Sequence, residues 1–165
     1  MHSLSVEKTL QRKELILKEG NVCRYKIFIA TGMLRTYRTK DDGSEYILQF
    51  SPENSWAVDP ESYDNSIPSH CNIEALETTG VIMWAKKDFE TLLEQIPALK
   101  AFSQKIISAN VYLNRQRIFT SLSGTAEEKY NDFICANPGL AARVPLRMIA
   151  SYLGVSRETL SRIRR

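Results

Sequence analysis

Apolar and polar positions alternate along the first half of the chain. Tyr25-Lys26-Ile27-Phe28-Ile29-Ala30 ends at Thr31-Gly32, and Met33-Leu34-Arg35-Thr36-Tyr37-Arg38-Thr39 runs up to Asp41-Asp42-Gly43 before Glu45-Tyr46-Ile47-Leu48-Gln49-Phe50 returns. Two alternating runs around a D-G turn predict a hairpin, with Gly43 able to take a positive φ. Residues 72–77 and 81–85 supply two further short strands around Thr79-Gly80. Residues 51–69 are polar, carry three prolines and read as connection rather than core. Many short strands separated by turns predict a closed or jelly-roll β-barrel.

From Lys87-Asp88 the period becomes helical, and Asp88 is placed to cap a short helix carrying Phe89, Leu92, Leu93 and Ile96. Pro97 opens a longer one, since a missing N–H costs nothing at a helix's first position. Leu99, Phe102, Ile106, Ala109 (or Asn110) and Leu113 follow at steps of three or four, an apolar seam running to about Leu122. About 25 residues at 1.5 Å each stretch roughly 37 Å, more than a small barrel needs to cover itself. The spare seam predicts dimerisation, against the alternative that it lies on its own barrel. Ser123-Gly124 breaks the pattern. Thr125-Ala126-Glu127-Glu128 is a capping box opening a helix with Tyr130, Phe133 and Ile134 inward, and Asn137-Pro138-Gly139 marks a candidate boundary.

Residues 145–165 have the layout of a helix-turn-helix. Ile149, Ala150 and Leu153 form an apolar face, Gly154 permits a left-handed turn, Val155 plugs between the helices, Ser156 caps the second, and Leu160 and Ile163 pack back. Arg157, Glu158, Ser161 and Arg162 remain on the outer face, with Arg165 one turn on. Arginine grips guanine O6 and N7 bidentately, glutamate accepts from cytosine N4, and serine or threonine holds phosphate. The alternative is a surface hairpin with a solvated charged face.

Charge sharpens this picture. The net charge is only +3, yet residues 139–165 hold six arginines against Glu158 alone, while residues 41–85 hold nine acidic residues and no Lys or Arg. One end is suited to approach a polyanion and the middle repels one. Hydrophobic content of 43% and charged content of 25% fit an ordinary globular chain of 165 residues. No window approaches the roughly 20 apolar residues of a membrane span, and the N-terminus lacks a secretory pattern, so a cytoplasmic protein without membrane contact is expected. Cys23, Cys71 and Cys135 lie far apart without a C-x-x-C pair, which argues against a disulfide framework, a zinc ribbon and a cluster held by local cysteines.

Ile149-Ala150-Ser151-Tyr152-Leu153-Gly154-Val155-Ser156-Arg157-Glu158-Thr159-Leu160-Ser161-Arg162 resembles the Crp/Fnr family of bacterial transcription regulators, and the ending through Arg164-Arg165 is similar to its Bacteroidetes branch. The resemblance implies an α+β fold: a cyclic-nucleotide-binding-like jelly roll over 1–96 as sensor domain, a dimerisation helix over 97–122, and a winged-helix-like DNA-binding domain over 123–165 whose wing is short or absent. By the family's pattern Arg157, Glu158 and Arg162 read bases, while Ser156, Thr159 and Ser161 stand near the backbone. It further implies a homodimer on a palindromic duplex, a contact with RNA polymerase, a small-molecule effector, and no enzymatic activity.

Members that bind cyclic nucleotides resemble one another in a Gly-Glu pair and an Arg-Ser/Thr-Ala step. Here Ser51-Pro52-Glu53-Asn54-Ser55 replaces the first, and the Arg step falls at Ser69-His70-Cys71. With no arginine and an acidic surround, cyclic AMP is not the expected effector. Tyr37, Tyr46, Trp56 and Tyr63 are the candidate lining of a pocket for another small molecule. No metal or cofactor is expected, since His70 beside Cys71 does not close a tetrahedral site. Two other readings stand beside the regulator. A cupin-like enzyme shares the jelly roll but needs two or three histidines plus a glutamate, and the chain has only His2 and His70. A ligand-sensing or interaction module would keep the roll and bind DNA weakly or not at all.

Overall fold

The computed structural model describes residues 4–164, in two compact units divided between Pro97 and Ala98. The first unit contains β1 (Ser5–Leu10), β2 (Leu15–Leu17), β3 (Tyr25–Thr31), β4 (Leu34–Thr39), β5 (Glu45–Ser51), β6 (Trp56–Ala57), α1 (Pro60–Asn65), β7 (Asn72–Ala75), β8 (Thr79–Ala85) and α2 (Lys86–Gln95). Its strands form two four-stranded antiparallel sheets, ordered β1-β8-β3-β6 and β2-β7-β4-β5. Ile27, Ile29, Val81 and Met83 from one sheet meet Leu34, Ile73 and Ala75 from the other in a single core. This is the β-roll that the alternation predicts.

The β4–β5 hairpin turns at Gly43, whose φ of 80° no side-chain-bearing residue adopts cheaply. Its amide donates to the Lys40 carbonyl at 2.8 Å. Opposite Arg35 in the ladder stands Glu74 of β7. The Arg35 guanidinium donates to Glu74 and Glu45 at 3.2 and 2.6 Å and lies 4.0 Å from the Tyr37 ring centre. Burial alone would lower the Arg35 pKa, but the two carboxylates outweigh it and hold the value above the ordinary one.

β1 and β2 precede the strand at Tyr25, and β1 is a sheet edge on which only Leu10 is buried. Two expectations for this unit need correction. Residues 51–69 are not mere connection, for they contain β6 and α1 and bury Ala57, Asp59, Ser62, Tyr63 and Ser69. Asp88 does not cap α2; the helix begins at Lys86 after Ala85, leaving Asp88 in its first turn, where a negative charge suits the helix dipole.

The second unit holds α3 (Pro97–Ser123), α4 (Ala126–Ala136), α5 (Leu140–Arg143), α6 (Leu146–Leu153) and α7 (Arg157–Ile163). Pro97 starts α3, and the capping box starts α4: the Glu128 amide donates to the Thr125 hydroxyl at 3.2 Å while the Thr125 amide donates back to the Glu128 carboxylate at 2.7 Å. Asn137-Pro138-Gly139 is a turn inside this unit rather than a boundary, because Phe133 of α4 is buried and its ring lies 5.5 Å from that of Tyr152 on α6. Among the described residues no helix is long and apolar enough to cross a membrane.

Candidate nucleic-acid interface

Helices α6 and α7 are joined by Gly154, whose φ is 67°. The Gly154 and Val155 amides donate to the Ser151 and Ala150 carbonyls at 3.3 and 3.1 Å, satisfying groups that the end of α6 would otherwise leave open. Ser156 then starts α7. Its hydroxyl accepts the Thr159 amide at 3.0 Å and donates to the Thr159 hydroxyl at 2.9 Å. Ile149, Ala150, Leu153 and Leu160 are buried, so the two helices are fixed through their apolar faces.

That fixes what faces outward. Arg157, Glu158, Ser161 and Arg162 are exposed and, at 100° per residue, lie within an arc of about 140° on α7. Thr159 is half-buried, and with Ser156 it is engaged in the cap. Arg164 is exposed at the end of α7, and Arg165 lies outside the described residues. Arg143 and Arg147, exposed on α5 and α6, add to the positive charge of this end of the chain.

The long helix α3 contains no buried residue. Of the expected seam, Leu99 and Ile106 are half-buried, while Phe102, Ala109 and Leu113 are exposed. A second stripe runs along another side of α3: Ile107, Val111, Ile118 and Leu122, spaced four, seven and four apart, are 54%, 51%, 59% and 85% exposed, so Leu122 ends this stripe and not the seam that begins at Leu99. Tyr112 and Phe119 are exposed on a further side.

The four aromatics proposed as an effector pocket do not come together. Tyr37 and Tyr46 sit on β4 and β5, where Arg35 and Lys40 stack on them. Trp56 and Tyr63 instead surround the Lys26 amine, each ring centre 6.0 Å away, as is that of Phe89. Burial lowers the Lys26 pKa and pushes the Tyr63 phenol up to about 12. At the place where the Arg step falls, Ser69 donates to buried Asp59 at 2.5 Å, so that position offers a carboxylate. Cys71 is half-buried, and the neighbouring His70 carbonyl accepts from Arg38. Among the described residues no three His, Cys, Asp or Glu side chains are grouped to hold a metal.

Residues 7–96 match the family model described as a cyclic nucleotide-binding domain. The transcriptional activator protein Anr of Pseudomonas aeruginosa is 26% identical, the match covering 93% of this chain and 67% of the relative. Electron transport regulator A of Shewanella oneidensis is 27% identical over 95% of this chain and 66% of its own length. Among solved structures, FixK2 of Bradyrhizobium japonicum superimposes with a TM-score of 0.82 at 20% identity, over 97% of this chain and 82% of that one. A CooA mutant from Carboxydothermus hydrogenoformans gives 0.81 at 16% identity, over 98% and 75%. At those identities the two structures speak for the fold alone.

Proposed function

The chain belongs to the Crp/Fnr family of transcription regulators, with that family's cyclic nucleotide-binding domain over residues 7–96, and from this we propose that it is a sequence-specific DNA-binding regulator acting as a homodimer. One observation carries the reading: α7 turns Arg157, Glu158, Ser161 and Arg162 outward while Leu160 and the Ser156 cap hold it on α6. Arg157 and Arg162 are the guanine readers and Glu158 the cytosine reader. Because Ser156 and Thr159 are engaged in the cap, their part is to present the helix N-terminus to a phosphate, with Ser161 near the backbone.

The dimer forms through α3. Its 27 residues extend about 40 Å, and both the Leu99 to Leu113 seam and the Ile107, Val111, Ile118, Leu122 stripe are apolar surface for a second copy to cover. Two recognition helices about 34 Å apart then meet successive major grooves of a palindrome. Residues 1–96 act as the sensor, in the cytoplasm where the DNA is, and without enzymatic activity. Their effector is not cyclic AMP: the Ser69-His70-Cys71 step carries no arginine of its own, and a cyclic phosphate at Ser69 would face buried Asp59.

Fluorescence anisotropy of the full chain against a random duplex tests this cheaply. Binding at low salt that weakens steeply as salt rises is expected, with a logarithmic slope of about −0.9 per phosphate contacted. No binding to any duplex at low salt would refute the reading.

A further inference from the structure

Within the second unit, a cavity of about 540 Å³ lies between the C-terminal half of α3 and helices α4 and α6, a volume in the range of small-molecule sites. Phe133 and Ala136 of α4 and Leu153 of α6 supply apolar wall. Three charged side chains also line it. The Arg117 guanidinium lies 4.0 Å from the Tyr152 ring centre and donates to the Tyr152 carbonyl at 3.4 Å. Asp132 accepts from the Thr120 hydroxyl at 2.9 Å. Lys129 is half-buried, and among the described residues its ammonium has no hydrogen bond or ion pair. Arg117 and Asp132 balance each other in sign, so the lining carries one surplus positive charge, that of Lys129.

We infer that this cavity is a regulatory site for a small amphipathic monoanion, an aliphatic or aromatic body ending in one carboxylate, with Lys129 as its charge partner. The apolar walls take the body. An amphipathic cation would meet Lys129 as a like charge, and a neutral molecule would lack the charge–charge attraction to it. Tyr152 and Leu153 are the last two residues of α6, immediately before the Gly154 turn and the Ser156 cap of α7. A ligand seated here touches α3 and the end of α6 together, so it favours one placement of α7 over others and shifts the population able to bind DNA. The regulatory half of this inference rests on the DNA-binding reading; the site itself does not.

The test uses the full chain with octanoate, octylammonium and octanol below their aggregation concentrations, followed by amide NMR. Octanoate is expected to bind saturably, shifting residues of α3, α4 and α6 that line the cavity, and to bind at least tenfold more tightly than octylammonium or octanol. Lys129→Glu should reverse the order of the two ions, and Ala136→Trp, which fills the space without altering charge, should weaken both. No saturation by low-millimolar octanoate, an order unchanged by Lys129→Glu, or shifts confined to other surfaces would overturn the site. Saturating octanoate is further expected to change duplex affinity at least threefold in the unsubstituted chain and not in Ala136→Trp; unchanged affinity overturns the regulatory half. A chain that binds octanoate as expected but no duplex counts against the DNA-binding reading and leaves the site standing.

Discussion

The Ser156 hydroxyl accepts the Thr159 amide at 3.0 Å, and this bond fixes the residue at which the second helix of the helix-turn-helix begins. Removing a serine N-cap costs about 1 kcal/mol. Ser156→Ala should therefore lower stability by that amount in urea titration and weaken duplex binding, whereas Ser156→Asp should keep the stability and lose affinity, because its charge faces phosphate. Equal duplex affinity in both variants would separate the cap from DNA recognition.

The capping box at the start of α4 is sensitive to pH. The Thr125 amide, and then its hydroxyl, hold the Glu128 carboxyl below the ordinary glutamate value of 4.5. A carboxyl lowered in the folded state adds stability that is fully present above its unfolded value and fades as pH falls through the folded one. The difference in melting temperature between Glu128→Ala and the unsubstituted chain is expected to be constant near neutrality and to shrink below about pH 4.5. A difference that does not change down to strongly acidic pH would show that the carboxylate is not what the box uses.

Arg35 and Glu74 stand opposite each other on β4 and β7, with side chains only 6% and 12% exposed. Removing one partner of such a pair leaves a buried charge and costs about 3–5 kcal/mol. Arg35→Ala should lose stability of that order in chemical denaturation, and Arg35→Ala with Glu74→Gln should recover part of it. A double variant no more stable than the single one would place the cost in packing, since the aliphatic stem of Arg35 also fills space.

On α3, Ile118→Asp puts a charge into the exposed Ile107 to Leu122 stripe. Analytical ultracentrifugation should report a monomer at concentrations where the unsubstituted chain is dimeric, with the helical circular dichroism retained. An unchanged dimer would exclude this stripe from the interface. Phe102→Asp applies the same test to the other seam.

What could be read in the sequence was local. The β4–β5 hairpin follows from Asp42-Gly43, the start of α3 from Pro97, the start of α4 from Thr125 and Glu128, and the helix-turn-helix from Gly154 and Ser156. Each is a short-range signal with its own hydrogen-bonding logic. The region 51–69 escaped because its order comes from distant polar partners. The Cys23 amide donates to the Ser62 hydroxyl, and the Lys86 ammonium to the Tyr63 and Asp64 carbonyls, contacts that no local pattern announces. The candidate effector aromatics failed to converge for a related reason. Residue type placed them near a pocket, but strand pairing distributed Tyr37 and Trp56 between different sheets.

Arg157 and Arg162 stand on the exposed face of α7 as the proposed base readers. The most direct measurement selects the preferred duplex from a random pool with the full chain, then repeats the titration on that duplex and on single-base variants with Arg157→Ala and Arg162→Ala. Each substitution is predicted to cost about 1–3 kcal/mol per half-site and to relax preference at one base position while leaving the others intact. Variants that lose affinity equally for every sequence, or that keep the full preference of the unsubstituted chain, would show that these two arginines do not read bases.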